Sequence, residues 1–283
     1  TLKTRRVGCS GSSEGSCDEC ALGSIKNFTG SWDSSCIECS LGSGTRGTAS
    51  TLNRTICYFM YSCKQYKEAG YSRTGIYHLS ILEASDYTTN NEVAFQTDGQ
   101  TPQAFPSRRA YCDMDTEGGG WMLIFCYYRD LYTVGGLNGE LLPLDRDICY
   151  SHLYLNRFSR ATRDLTSQVR LFCNTTNHER VIHFTTDNQG VLGIAKRGIT
   201  KWNQPSWWYS NSSLHSDHTG YLPVVANVTN DQDDNIASLD DGFHNFPFYK
   251  WPSYHWTLRT NGRWECDDSH VYRATTRHEV WVR

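Results

Sequence analysis

The stretch NDQDDNIASLDDG, residues 230–242, places five aspartates in thirteen positions. Carboxylates this close repel one another unless a cation sits among them or the loop lies open to water. Calcium takes six to eight oxygen ligands, and alternate aspartates on a turn converge on such a point. Asp231, Asp233 and Asn235 match the first three positions of an EF-hand loop. The EF-hand glycine is replaced by Ile236, however, and Gly242 stands where the bidentate glutamate belongs. That geometry is excluded. The choice left is a cation loop of another kind or a solvated turn capped by its own aspartates.

Aromatic residues flank this stretch: Trp207 and Trp208 before it, and His244, Tyr249, Trp251 and Trp256 after it among further Phe and Tyr residues. A sugar offers an apolar C–H face that stacks on an aromatic ring, while its hydroxyls can coordinate an exposed calcium. These six residues are therefore candidate ligand contacts, although taken one by one such aromatics are more often core. In WPSYHW, Pro252 and Ser253 mark a turn, which favours exposure there. Signals for catalysis are thin. There is no G-x-S-x-G elbow and no H-E-x-x-H helix. Asp267 and Asp268 are adjacent, and neighbouring carboxylates on one turn do not straddle a glycosidic bond. His215 and His218, in a Ser/Asp/Gly-rich loop, read as surface residues. A binding protein without enzymatic activity is the expectation.

The whole chain narrows the class further. It has 283 residues and a net charge of −3, with no Lys/Arg cluster to grip nucleic acid. No stretch approaches the apolar length of a membrane span. Twelve cysteines suggest disulfides and an oxidising compartment. Sequons at Asn27, Asn53, Asn174, Asn211 and Asn227 could each carry a surface glycan. The chain starts at Thr1 with no signal peptide and so reads as a processed, secreted product.

Two regions must position these groups. Residues 1–58 are poor in large apolar side chains and rich in Ser, Gly and Cys, so cross-links must supply their order. CDECALGS at 17 recurs as CIECSLGS at 36. This C-x2-C-x2-G repeat resembles the cysteine-rich repeats of ephrin-receptor and tumour-necrosis-factor-receptor ectodomains. Cys17, Cys20, Cys36 and Cys39 also fit a four-thiolate zinc template, with oxidation favoured by the secreted context. Residues 59–283 form the second region. Ser62 is expected to cap a short helix that Gly70 ends. Strands are expected over 75–82, 121–128, 168–173, 179–186, 222–228 and 278–283, with a helix within 156–167. The pattern is α+β with an antiparallel sheet.

One signature in this region is specific. SCKQYKEAGYSRTGIYHL, about thirty variable residues, and then AYCDMDTEGGGWMLIF resemble the opening of a fibrinogen-related domain. Fibrinogen chains, ficolins, tachylectins and intelectins share it. The resemblance implies a bond between Cys63 and Cys112. Gly118 to Gly120 permit a sharp turn, after which Trp121 can start a buried strand. Later the chain departs from the family. No cysteine lies between 173 and 266, so the pair that frames the ficolin-like pocket has no counterpart. The short ending TTRHEVWVR is nearer to intelectins. DQDDN resembles the family's calcium loop, which implies Asp231 and Asp233 as carboxylate ligands, Asn235 in its fifth place, and Asp240 and Asp241 as outer candidates. The expected function is calcium-assisted glycan or glycoprotein binding, in a homo-oligomer that turns weak sites into avidity. The alternative is a structural subunit of an extracellular matrix or filament, polymerised through the same domain.

Overall fold

The computed structural model describes residues 4–7, 16–19, 21–25, 36–45, 57–82, 92–93, 106–129, 138–139, 141–147, 149–197, 213–220, 249–250, 253–254, 256–258, 264–267 and 275–283. The fold is mostly antiparallel sheet with a few short helices and several disulfides. Two compact units divide it: Thr1–Trp121 with Ser159–Thr162, and Met122–Phe158 with Arg163–Arg283.

In the first unit, β1 (Ser43–Gly44) pairs antiparallel with β2 (Cys57–Phe59). The helix α1 (Cys63–Glu68) begins where Ser62 Oγ accepts from the Gln65 amide at 3.2 Å. Gln65 Oε1 in turn accepts from the Tyr61 amide at 2.7 Å, so two N-terminal donors are satisfied together. The strands β3 (Gly75–Ser80) and β4 (Ser107–Asp113) then form an antiparallel pair. Ile25, Cys57, Phe59 and Tyr61 make a buried core, against which Cys39, Leu82 and Ala161 pack. Among the described residues, part of the 1–58 region is bonded to residues 59–82. The Met60 amide donates to the Gly42 carbonyl at 2.9 Å, and the Ser80 amide to the Met60 carbonyl at 2.7 Å. A segment with so few apolar side chains shares the core of its successor. Cys39 is bonded to Cys57 and Cys36 is also in a disulfide, so neither offers a thiolate to zinc.

In the second unit the long strand β5, Trp121–Arg129, supplies its residues from Met122 onward. With β6 (Tyr150–His152), β7 (Val169–Thr175), β8 (Val181–Thr186), α3 (Gln189–Arg197) and β9 (Ser213–Leu214) it is followed by β10 (Trp256–Leu258), β11 (Trp264–Cys266) and β12 (Thr276–Val282), and α2 (Arg160–Leu165) gives this unit its residues from Arg163 onward. The order across these strands is β6-β5-β12-β7-β8-β9, each pair antiparallel, and Asn138–Gly139 pairs parallel with β6. Residues 122–127 are all buried, which is why this strand reads as a nearly unbroken apolar run. Cys126 bonds Cys149, and Cys173 bonds Cys266 across 93 residues. The apolar residues Val191, Leu192, Ile194 and Ala195 of α3 are buried, and the helix packs on Leu155–Arg157 and β7.

Charge is buried in this sheet as well. Glu279 on β12 is 1% exposed; its carboxylate accepts from Arg146 Nε at 3.0 Å and from Trp281 Nε1 at 2.8 Å. The Arg170 guanidinium lies 4.5 Å from the Trp281 ring centre, and Arg146 lies 5.5 Å from it. One indole thus carries two guanidinium groups, and the carboxylate anchors that indole.

Candidate functional site

Most residues of the candidate calcium and sugar site lie outside the described residues: Trp207, Trp208, Asp231, Asp233, Asn235, Asp240, Asp241, His244 and Trp251. The strands around the expected WPSYHW turn are described. Tyr249–Lys250 and Ser253–Tyr254 pair antiparallel with two residues between them, the spacing of a tight hairpin. Trp256 is fully buried, its ring edge-on to His278 at 4.7 Å, so it is a core side chain instead of a sugar platform. Asn174 is exposed, as a glycan acceptor must be; Asn27, Asn53, Asn211 and Asn227 lie outside the described residues. Among the described residues no three His, Cys, Asp or Glu side chains stand together as a metal cluster.

Both segments SCKQYKEAGYSRTGIYHL and AYCDMDTEGGGWMLIF are described, and their residue choices have physical reasons. Cys63, at the start of α1, is bonded to Cys112 near the end of β4. Gly118, Gly119 and Gly120 all have positive φ, at 84°, 72° and 80°. A Cβ on Gly119 would lie 2.1 Å from the Met114 carbonyl oxygen, and one on Gly120 would lie 2.9 Å from Lys64 Cα. No other residue fits so close an approach to a helix and a turn. Lys67 of the same helix donates to the Met114 carbonyl at 2.7 Å. Trp121 is fully buried and donates from Nε1 to the Thr116 carbonyl at 2.9 Å. The three glycines therefore let the turn lie on α1 while the tryptophan enters the core.

A second constellation was not anticipated. His215, read from the sequence as a surface residue, is 6% exposed and stacks on His183 of β8 with ring centres 3.8 Å apart. His183 Nδ1 lies 2.7 Å from Asp217 Oδ1, and His215 Nε2 lies 2.7 Å from Thr185 Oγ1. The His183 amide donates to His218 Nδ1 at 3.0 Å. Burial, followed by the charge of His215, lowers the His183 pKa to about 4 in spite of Asp217. Burial also lowers that of His218. The adjacent Asp267 is buried, adopts φ 58° and accepts from Arg180 Nε at 2.7 Å. That ion pair fixes the carboxylate named above as a catalytic possibility; Asp268 lies outside the described residues.

The sequence signal for this cluster was present but incomplete. LHSDHTG at 214–220 places two histidines around an aspartate, and VIHFTT at 181–186 puts a histidine inside a strand. Only the pairing of β8 with β9 brings them together. No known family model matches the chain, and no curated protein matches it either.

Proposed function

We propose that residues 59–283 form a divergent fibrinogen-related domain, and that the protein is a secreted, glycosylated recognition protein that binds glycans with the help of calcium and performs no catalysis. The observation that carries this reading is the opening segment. Its disulfide, its three left-handed glycines and its buried tryptophan occur together, each required by the packing of the next. Such a set is hard to meet by chance, because each element alone is common and the combination is geometrically demanding. The disulfides suit an oxidising, extracellular compartment. No described helix is long and apolar enough to cross a membrane. The calcium and sugar part rests on the composition of residues 207–256, with Asp231 and Asp233 as the ligands proposed first and Asn235, Asp240 and Asp241 around them.

The test is glycan-array binding of the intact protein with calcium, with a chelator, and with the double variant Asp231→Asn/Asp233→Asn. Binding lost in the last two conditions is expected, with the urea midpoint of the calcium-free protein unchanged by the substitutions. Absence of glycan binding, together with polymers that survive the chelator, would overturn the lectin reading and leave the structural subunit in its place.

A further inference from the structure

Among the described residues, the segment from β9 to Gly220 is bonded to the sheet mainly through β8. Leu214 and Ser213 pair with Phe184 and Thr185. The His215 amide donates to the His183 carbonyl at 3.1 Å, and the Thr219 and Gly220 amides donate to the Val181 carbonyl at 3.0 and 2.9 Å. The Val181 amide donates back to Thr219 Oγ1 at 3.0 Å. Further attachments among the described residues are the Thr219 hydroxyl, which donates to the Glu179 carbonyl at 3.4 Å, and the imidazoles. His183 and His215 lie face to face with their planes 10° apart, a contact that suits two neutral rings.

We propose that the stacked His183–His215 pair, with Asp217 and His218, is an acid-sensitive latch that holds Ser213–Gly220 on the sheet edge at neutral pH and releases it as the imidazoles gain protons. Charge arithmetic supports it. Two imidazolium rings 3.8 Å apart would repel each other, and Asp217, hydrogen-bonded to His183, is itself half exposed. Arg170 on β7 adds positive charge near His183, and Phe172, edge-on to that ring at 5.2 Å, adds none to offset it. Asp267 favours a proton on His218 but already holds Arg180. Protonation also changes the role of one atom. His218 Nδ1 lies 3.0 Å from the His183 amide and 3.1 Å from the His183 carbonyl, so the neutral ring can accept from the first whereas the protonated ring can only donate to the second.

The sign is set by where each state binds protons. Burial holds His183 near 4, against 6.5 in an opened segment, and lowers His218 in the same direction. The open form therefore takes up protons first as pH falls below 6.5, and opening is favoured increasingly until about pH 4. This window includes mildly acidic compartments.

Native-state hydrogen exchange on the intact, oxidised protein tests the latch, with rates corrected for intrinsic pH dependence. The opening constant of residues 213–220 should rise at least about tenfold from pH 7.4 to 5.0, while β7 and β12 change far less. A rise below about twofold would overturn the proposal. His215→Phe keeps a stacking ring without a second charge, and it should flatten the pH dependence; an unchanged dependence also overturns the role of the stack. Should that variant fail to fold, ring titration of the unmodified protein by NMR decides. Midpoints of His183 and His218 well below 6.5 support the latch, and midpoints at or above 6.5 remove it.

Discussion

Gly119 shows how much one hydrogen atom in place of a side chain decides. Its φ of 72° and ψ of −170° fall in a region that only glycine occupies comfortably, and a Cβ would meet the Met114 carbonyl at 2.1 Å. Gly119→Ala should therefore cost about 3 kcal/mol, combining backbone strain with a clash against rigid backbone. Urea denaturation followed by Trp fluorescence measures it; a midpoint shift equivalent to less than about 1 kcal/mol would mean that the turn relaxes freely. This glycine was visible in the sequence because it belongs to a run of three before Trp121. The histidine stack was not, since its members are 32 residues apart and only a strand register joins them.

Among the elements, legibility depended on whether the information was local. The α1 start is set by Ser62 and Gln65, three residues apart, and the expected cap is the one found. The strands expected over 121–128, 168–173, 179–186 and 278–283 were also found, at Trp121–Arg129, Val169–Thr175, Val181–Thr186 and Thr276–Val282, because their apolar and β-branched runs suit buried strands. The 222–228 strand lies outside the described residues. The helix α3 went unread, since Gly190 and Gly193 argue against a helix in isolation. Its four buried apolar residues stabilise it through packing, which sequence propensity does not weigh. The charged network on β12 is likewise a product of register. Removing Glu279 takes away the buried carboxylate that Arg146, Arg277 and the Trp281 indole all contact. Glu279→Ala should thus destabilise the second unit by about 3 kcal/mol, whereas Arg146→Ala, at a 38% exposed side chain, should cost under about 1 kcal/mol. Denaturation of the two variants side by side checks the asymmetry, and equal costs would show that the pair acts as an ordinary surface bridge.

At the scale of the whole molecule, the two units carry opposite kinds of buried titratable group, and this predicts opposite pH limits. In the second unit burial lowers the pKa of His152 to about 4, as it does for His183, and His218 shifts the same way. A histidine depressed in the folded state leaves stability intact above its unfolded value of 6.5. That stability is lost as pH falls from 6.5 toward 4, by at most about 1.4 kcal/mol per pH unit for each group. In the first unit burial raises Tyr66, Tyr71 and Tyr77, which pack together with ring centres 4.8 to 6.1 Å apart. A tyrosine raised in the folded state keeps its contribution below pH 10 and loses it as pH climbs further. Half-buried His78 is also lowered, so the first unit is not wholly indifferent to acid. The expected outcome is a second unit that loosens first in acid and a first unit that loosens first in alkali. Limited proteolysis at pH 5 with mass spectrometry should cut within 150–220 before 57–82. Absorbance at 295 nm should show these tyrosines ionising above pH 10, with Tyr66, the most buried of the three, last. Simultaneous loss of both units at either extreme would mean that they unfold as one cooperative body, and the separate limits assigned to them would then be wrong.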